Sequence, residues 1–332
     1  METQRPMRVA VIIPSFRVTR HIVGVLEAIG PEVEAIYVVD DACPEGSGDH
    51  VVRHCTDARI RVLRRERNGG VGAAVLSGYR AAMDEGMEVL VKIDGDGQMD
   101  PALVPVLIEP ILRGDADYTK GNRFWNLTHI QRMPLLRRLG NLGLSFLAKL
   151  STGYWDLFDP TNGFTAIHAA VAGRLPMASI SERYFFETDL LFRLGTLRAR
   201  VIDVPMDARY GDEESSLKVG RALFEFAAKH LRNTGKRIAY SYFLRDLSIG
   251  SVELVAGVLL GGFALVFGGL HWAQSVVSGQ ATPVGTIMVA TVAAISALQF
   301  LLAFLAYDIA AVPRTALHPM LHRRGTGRGA PA

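Results

Sequence analysis

Residues 92–101 read KIDGDGQMDP, placing two carboxylates, Asp94 and Asp96, two residues apart just after the apolar run Val89, Leu90, Val91. Along extended chain such side chains point the same way, roughly 6–7 Å apart. Two like charges that close repel by about 1 kcal/mol in water and by several in a drier site. The spacing asks for a positive partner, and a hard divalent cation with positions left open for phosphate oxygens meets that need. The same residues also suit a solvated strand-to-loop turn, where Asp and Gly are common. Taken alone, the stretch does not choose between the two.

The elements that must position these acids read as alternating strands and helices. Val9–Ile13, ended by Pro14, is an apolar run of strand type. Residues 19–29 carry apolar side chains at helical spacing and stop at Gly30-Pro31. Ala35–Val39 is a second strand ending in Asp40-Asp41; residues 50–54 fit part of a helix, and Ile60–Leu63 a third strand. Asn68-Gly69-Gly70-Val71-Gly72 opens a helix through Met83, and Val89–Ile93 is the fourth strand. Units of about 30 residues imply an α/β sheet, largely parallel, whose ligands sit at the carboxyl ends of its strands. Pro14-Ser15, Asp40-Asp41, and Asp94 with Asp96 all fall at such ends, and this convergence favours an active site over ordinary turns. NGGVG is neither a dinucleotide fingerprint nor a P-loop. It reads equally as a phosphate-favouring helix start or as a tight turn for close packing.

Composition narrows the class. Of 332 residues 49% are hydrophobic, so membrane segments are expected, while the net charge is only +3. Cys43 and Cys55 match neither a disulfide framework nor a metal-binding spacing and point to a reducing, cytosolic face. Residues 1–8 are polar and lead into a strand, so no signal peptide is read there. The chain carries no evident internal repeat.

The segments VIIPSF, VVDDACPEGSGD, ERNGGVGAAVLSGY, KIDGDGQMDP, KGNRF and DPTNGF occur in the order found in inverting family-2 glycosyltransferases of GT-A fold. From Val9 to Lys218 the chain resembles their polyprenyl-phosphate members, the dolichol-phosphate-mannose synthase type. The resemblance implies that Asp94 and Asp96, with Gln98, hold Mg²⁺ or Mn²⁺ and the donor diphosphate. It implies that Pro14, Phe16, Asp40, Asp41 and Gly70 line the nucleotide-sugar site. Two departures stand out. Arg17-Val18 replaces a frequent Asn-Glu, so UDP and GDP donors both remain open, and Thr165 stands where relatives carry arginine.

In the middle of the chain, DYTKGNR over residues 117–123 is a strand running into a loop, and Arg123 falls where family members bind anions. Arg132, Arg137 and Arg138 follow on an expected helix to Leu150. Arginine suits phosphate because its planar fork donates in pairs. In FFETD, Glu187 and Asp189 fit a helix N-terminal charge pair or the acceptor side of the pocket. ARYGDEESSLK resembles the family's Arg…Gly…Ser-Lys segment, in which Arg209 and Lys218 would close over the phosphates.

The last third changes character. Residues 217–247 hold seven Lys or Arg against two acids and read as basic amphipathic juxtamembrane helices on an anionic membrane surface. Residues 249–270 and 284–308 are two expected transmembrane helices. The loop between them has no Lys or Arg, whereas the tail beyond Asp308 carries Arg314, Arg323, Arg324 and Arg328. The positive-inside rule places both termini and the catalytic domain in the cytoplasm. The expected domains are 1–216, 217–247, 248–310 and the basic tail 311–332.

The combined expectation is a bacterial inner-membrane glycosyltransferase for cell-envelope glycan or glycoprotein assembly, transferring a hexose from a nucleotide sugar to a polyprenyl phosphate. No nucleic-acid partner is expected; homo-oligomers occur among relatives with such tails. A phosphate acceptor is already ionised near pH 7 and needs little base catalysis; if a carboxylate acts on the nucleophile, Asp159 is the first choice and Asp189 the second. Two alternatives stand beside this reading: transfer to a glycan or glycolipid hydroxyl, which would need a base, and a non-catalytic membrane-tethered nucleotide-sugar binder. Processive synthases of the first kind usually carry QxxRW and more spans, both missing here; the intact Asp-x-Asp argues against the second.

Overall fold

Seven strands form one sheet in the order β3-β2-β1-β4-β6-β5-β7, in a computed structural model that describes residues 5–125, 135–206 and 219–325. The strands are β1 Val9–Ser15, β2 Ala35–Asp40, β3 Ile60–Arg64, β4 Val89–Lys92, β5 Tyr118–Asn122, β6 Thr165–His168 and β7 Val201–Pro205. Strands β2 and β4 are buried at every residue, as apolar runs covered on both faces should be. β3, at one edge, alternates with the exposed Arg61 and Arg64, which blunts that edge. Helices α1 Ile22–Glu27, α2 Ser47–His54, α3 Val71–Asp84 and α4 Val104–Leu112 fill the crossovers.

The chain runs outward from β1 through β2 to β3, then returns to place β4 on the other side of β1. Strand order reverses between β1 and β4, and the crevice outside their carboxyl ends is where such sheets take ligands. The sheet is largely parallel, as expected, with β6 alone running antiparallel, to both β4 and β5. That reversal has a purpose in the geometry. It sets the start of β6, Thr165, opposite Lys92 and Lys120, so the turn before it arrives at the crevice.

The remaining helices are α5 Leu135–Thr152, α6 Ala169–Ala172, α7 Phe186–Leu197, α8 Val219–Ala239, α9 Ile249–Ser278, α10 Val284–Ala310 and α11 His318–Gly325. Two compact units emerge, one of residues up to Thr234 together with Pro313 onward, the other Gly235–Val312. The first therefore reaches past 216, and the expected tail from 313 to 325 is folded into it. Buried Asp117 accepts hydrogen bonds from the backbone N–H groups of Leu317 and His318 and from Arg200 N, and it pairs with His318 Nδ1 at 3.0 Å. The His318 ring stacks on His168 at 4.2 Å. Within this unit α8 is not a free surface helix. Phe226 meets Phe185, His230 meets Phe185 and bonds Ser151, and Asn233 donates to Asp189.

In the second unit α9 and α10 are both long and apolar enough to cross a membrane, and most of their large side chains are exposed. α9 starts at a Ser248–Ser251 capping box and runs on to Ser278, eight residues past the expected end. A Cβ at Gly257 would come 2.8 Å from Leu301, and one at Gly250 2.8 Å from Tyr307; small residues let the two backbones approach. Asp308, near the end of α10, is buried and receives Arg237 Nη1 at 2.6 Å, Arg237 Nη2 at 2.9 Å and the Tyr242 hydroxyl at 2.5 Å. One arginine of the basic segment is thus spent on a buried pair.

Candidate active site

The crevice is built from three strand ends and one turn. β1 delivers Pro14 and Ser15 and is followed by Phe16, 40% exposed, with Arg17 at φ +58°. β2 ends at Asp40, followed by Asp41 and by Ala42 at φ +52°. Non-glycine residues at positive φ are uncommon and gather at functional sites; here two sit on adjoining strand ends.

Asp40 and Asp41 shape the loops around them. Asp40 accepts Cys43 N at 2.7 Å and Gly48 N at 2.8 Å, tying down the start of α2. Asp41 accepts Gly69 N and Gly70 N and pairs with Arg65 at 2.7 Å. The anion held by the NGGVG turn is therefore the chain's own carboxylate. Gly70, at φ +97°, and Gly72 are also needed sterically, since a Cβ on either would come within 3.0 Å of the 181–186 segment. The close-packing reading of this turn is the one its geometry matches.

Asp94 and Asp96 follow β4 and are both partly buried. Gln98 N donates to Asp96 Oδ1 at 3.0 Å, and Asp94 N to Met99 Sδ at 3.3 Å. Lys92, 1% exposed, reaches Asp94 Oδ1 at 2.8 Å and Glu187 Oε1, on the first turn of α7, at 3.1 Å. Burial alone favours the neutral amine; Asp94 and Glu187 outweigh it and hold the ammonium charged well above the ordinary lysine range. Gly163 presses against this group: a Cβ there would stand 2.4 Å from Lys92 Nζ and 2.7 Å from Asp94 Oδ2.

Gly163 belongs to the DPTNGF turn, which also orders Arg123. Asp159 is fully buried and takes Arg123 Nε on Oδ2 at 2.8 Å and Nη2 on Oδ1 at 3.2 Å. Burial pushes its carboxyl up, but Lys120 and Arg123 prevail and hold it below the usual carboxylate range. Lys120 Nζ donates to the carbonyls of Asp159 and Asn162, the latter at 3.2 Å. Burial brings its ammonium down to about 8. The turn thus lies between the Asp94 side and the Arg123 side of the crevice.

Asp189 is set apart from these groups in its bonding. It accepts Ser181 N at 2.9 Å and Asn233 Nδ2 at 3.1 Å, both structural ties. Arg132, Arg209 and Lys218 lie outside the described residues; Arg137 and Arg138 are on α5, but their side chains lie outside them too. The sequence reading passed over Lys92, Lys120 and Gly163. A lysine closing an otherwise apolar, fully buried strand was the available signal for Lys92.

As to metal, the donor set suits a hard cation: two carboxylates two residues apart, with Gly163 keeping space beside one of them. Among the described residues no three His, Cys, Asp or Glu side chains converge as a metal cluster. Two protein acids would leave coordination positions for other oxygens.

Sheet order and the crevice at its switch point are those of a GT-A-like fold. A solved neighbour is the glucosyl-3-phosphoglycerate synthase of Mycobacterium tuberculosis, crystallised with Mn²⁺, UDP-glucose and phosphoglyceric acid. It matches at TM-score 0.55 and 20% identity over 69% of this chain and 80% of its own, a likeness of fold. The family model for glycosyl transferase family 2 matches residues 10–175, and the chain belongs to that family. Among its relatives, the undecaprenyl-phosphate mannosyltransferase of Micrococcus luteus is 32% identical over 205 residues, 60% of this chain and 83% of the relative. The polyprenol monophosphomannose synthase of Mycolicibacterium smegmatis is 31% identical over 216 residues, 61% and 78% of the two chains.

Proposed function

We propose that this enzyme is a membrane-bound, inverting hexosyltransferase that uses a UDP- or GDP-linked sugar as donor and a polyprenyl phosphate as acceptor, in cell-envelope assembly. The observation that carries the reading is the joining of an Asp-x-Asp crevice to two bilayer-length helices in a chain whose relatives are named for polyprenyl-phosphate transfer. Asp94 and Asp96, with Gln98, would hold Mg²⁺ or Mn²⁺. When bound, such an ion neutralises the charge developing on the leaving diphosphate.

In the reaction an acceptor phosphate oxygen forms the new bond to the anomeric carbon as the bond to the donor diphosphate breaks, and in-line displacement inverts that carbon. Arg123, 36% exposed, presents its guanidinium to an anionic group, and Asp159 fixes the plane of that fork. A buried carboxylate paired on both oxygens acts here as a positioning residue. Asp159, the first choice should a carboxylate act on the nucleophile, is read here as positioning Arg123, and an ionised acceptor does not require a base. Pro14, Phe16 and the loops held by Asp40 and Asp41 would receive the nucleotide.

Folding of residues 313–325 into the unit that carries the crevice supports a topology with both ends of the apolar hairpin on the cytoplasmic side. The function is tested with the purified full chain in lipid nanodiscs, labelled UDP- and GDP-sugars, Mn²⁺ or Mg²⁺, and undecaprenyl phosphate. Label entering a chloroform-soluble product, and lost in Asp94→Ala, supports it. Transfer only to a glycan hydroxyl, or donor binding without transfer, overturns it.

A further inference from the structure

Lys92 is an odd residue to find closing a central strand. Its side chain is 1% exposed, and its Nζ touches two carboxylates, one near in sequence and one far, Asp94 Oδ1 at 2.8 Å and Glu187 Oε1 at 3.1 Å. Burying an ammonium is costly unless it is paired and hydrogen-bonded, and both carboxylates answer that need. Asp94 and Glu187 therefore share one ammonium, and no three acids among the described residues converge as a metal cluster. The ammonium engages one oxygen of each acid, Asp94 Oδ1 and Glu187 Oε1. Asp94 Oδ2 is left beside Gly163, where even a methyl group would intrude.

We infer that Lys92 is a positioning residue that caps the number of protein carboxylates a divalent cation can gather at Asp94 and Asp96, reserving coordination for the donor diphosphate. The inference rests on the metal-dependent transferase reading. A neutral side chain in its place frees Asp94 Oδ1 and Glu187 together. A cation at Asp94 then gains a third carboxylate and loses a repelling ammonium, so it binds more tightly while offering fewer positions to substrate. Neutralising Glu187 has the reverse effect, because Lys92 then pairs with Asp94 alone and competes harder with the cation.

Mn²⁺ titration of the full chain in nanodiscs without donor, followed by the electron paramagnetic resonance of free Mn²⁺, separates these signs. Lys92→Met is expected to tighten Mn²⁺ about tenfold while lowering kcat for transfer. Glu187→Gln, a near-isosteric change at a side chain 13% exposed, is expected to weaken Mn²⁺ several-fold. The double variant is expected to lose the tightening. Unchanged or weakened affinity in folded Lys92→Met overturns the inference; should that variant fail to fold, affinity in Glu187→Gln that is unchanged or tightened overturns it. Wild-type protein that binds no Mn²⁺, or binds it undisturbed by Asp94→Asn, overturns the metal site itself and is recognised before any Lys92 variant is read.

Discussion

Arg123 and Asp159 meet fork to fork, Nε on Oδ2 at 2.8 Å and Nη2 on Oδ1 at 3.2 Å, with the carboxylate fully buried and the guanidinium at the crevice. The pair converts a flexible surface arginine into a fixed donor. If Asp159 acts through Arg123, the two residues are not independent. Arg123→Ala is expected to lower kcat about a hundredfold, the scale for losing one positioned donor to developing charge. Asp159→Asn should fall less, and the double variant no further than Arg123→Ala alone. Steady-state kinetics of the three variants decide this; additive losses would return Asp159 to an independent chemical role.

Gly163 offers a one-methyl probe of the same crevice. Ala at this position places its Cβ against Lys92 Nζ and Asp94 Oδ2, and overpacking of this kind costs about 1–3 kcal/mol. Gly163→Ala is expected to retain the fold by circular dichroism while losing Mn²⁺ affinity and transfer. Wild-type affinity in a folded Gly163→Ala protein would show that the space beside Asp94 is not used.

His230 predicts an acid-labile fold. Burial lowers its imidazole from 6.5 to about 4, and it sits against Phe185 and Ser151. Between those two pH values the unfolded chain binds more protons than the folded one. Stability is therefore complete above about pH 6.5 and is lost as the pH falls towards 4, by on the order of 2–3 kcal/mol. Thermal melts across that range should show the loss in the wild type and a flatter limb in His230→Gln.

Asp117 is a socket for chain that arrives much later. Its carboxylate serves the N–H groups of Arg200, Leu317 and His318 as well as the His318 ring. Each buried donor left without a partner costs about 1–3 kcal/mol, so Asp117→Ala should destabilise the first unit by about 3 kcal/mol or more. It should also open residues 313–325 to limited proteolysis. Protection equal to wild type in that segment would refute the socket.

How much of this was legible in the sequence varied with the kind of force involved. Doubly buried strands announce themselves as apolar runs, and Val9–Ile13, Ala35–Val39 and Val89–Ile93 were readable for that reason. The apolar helices were readable because a bilayer-length run with a single charge near one end has few other uses. Thr165–His168 escaped, since four residues carry no usable period and their antiparallel pairing is decided by neighbours far away in sequence. The packing of α8 escaped as well. Its buried side includes His230 and Asn233, whose polar groups are satisfied by Ser151 and Asp189, and a pattern of apolar residues cannot register a polar face paid for by distant partners. Asp40 and Asp41 were singled out by their position at a strand end, and the hydrogen bonds they make to their own loops required coordinates.

The socket at Asp117 also bears on how the protein is made. The carboxylate is synthesised 200 residues before the N–H group of Leu317 that it accepts, and the apolar hairpin is translated in between. During synthesis Asp117 therefore lacks the N–H groups of Leu317 and His318 until both long helices have left the ribosome. Completion of the catalytic unit is coupled in time to completion of its anchor. A chain interrupted before residue 313 carries an unfinished enzyme however well its sheet has formed.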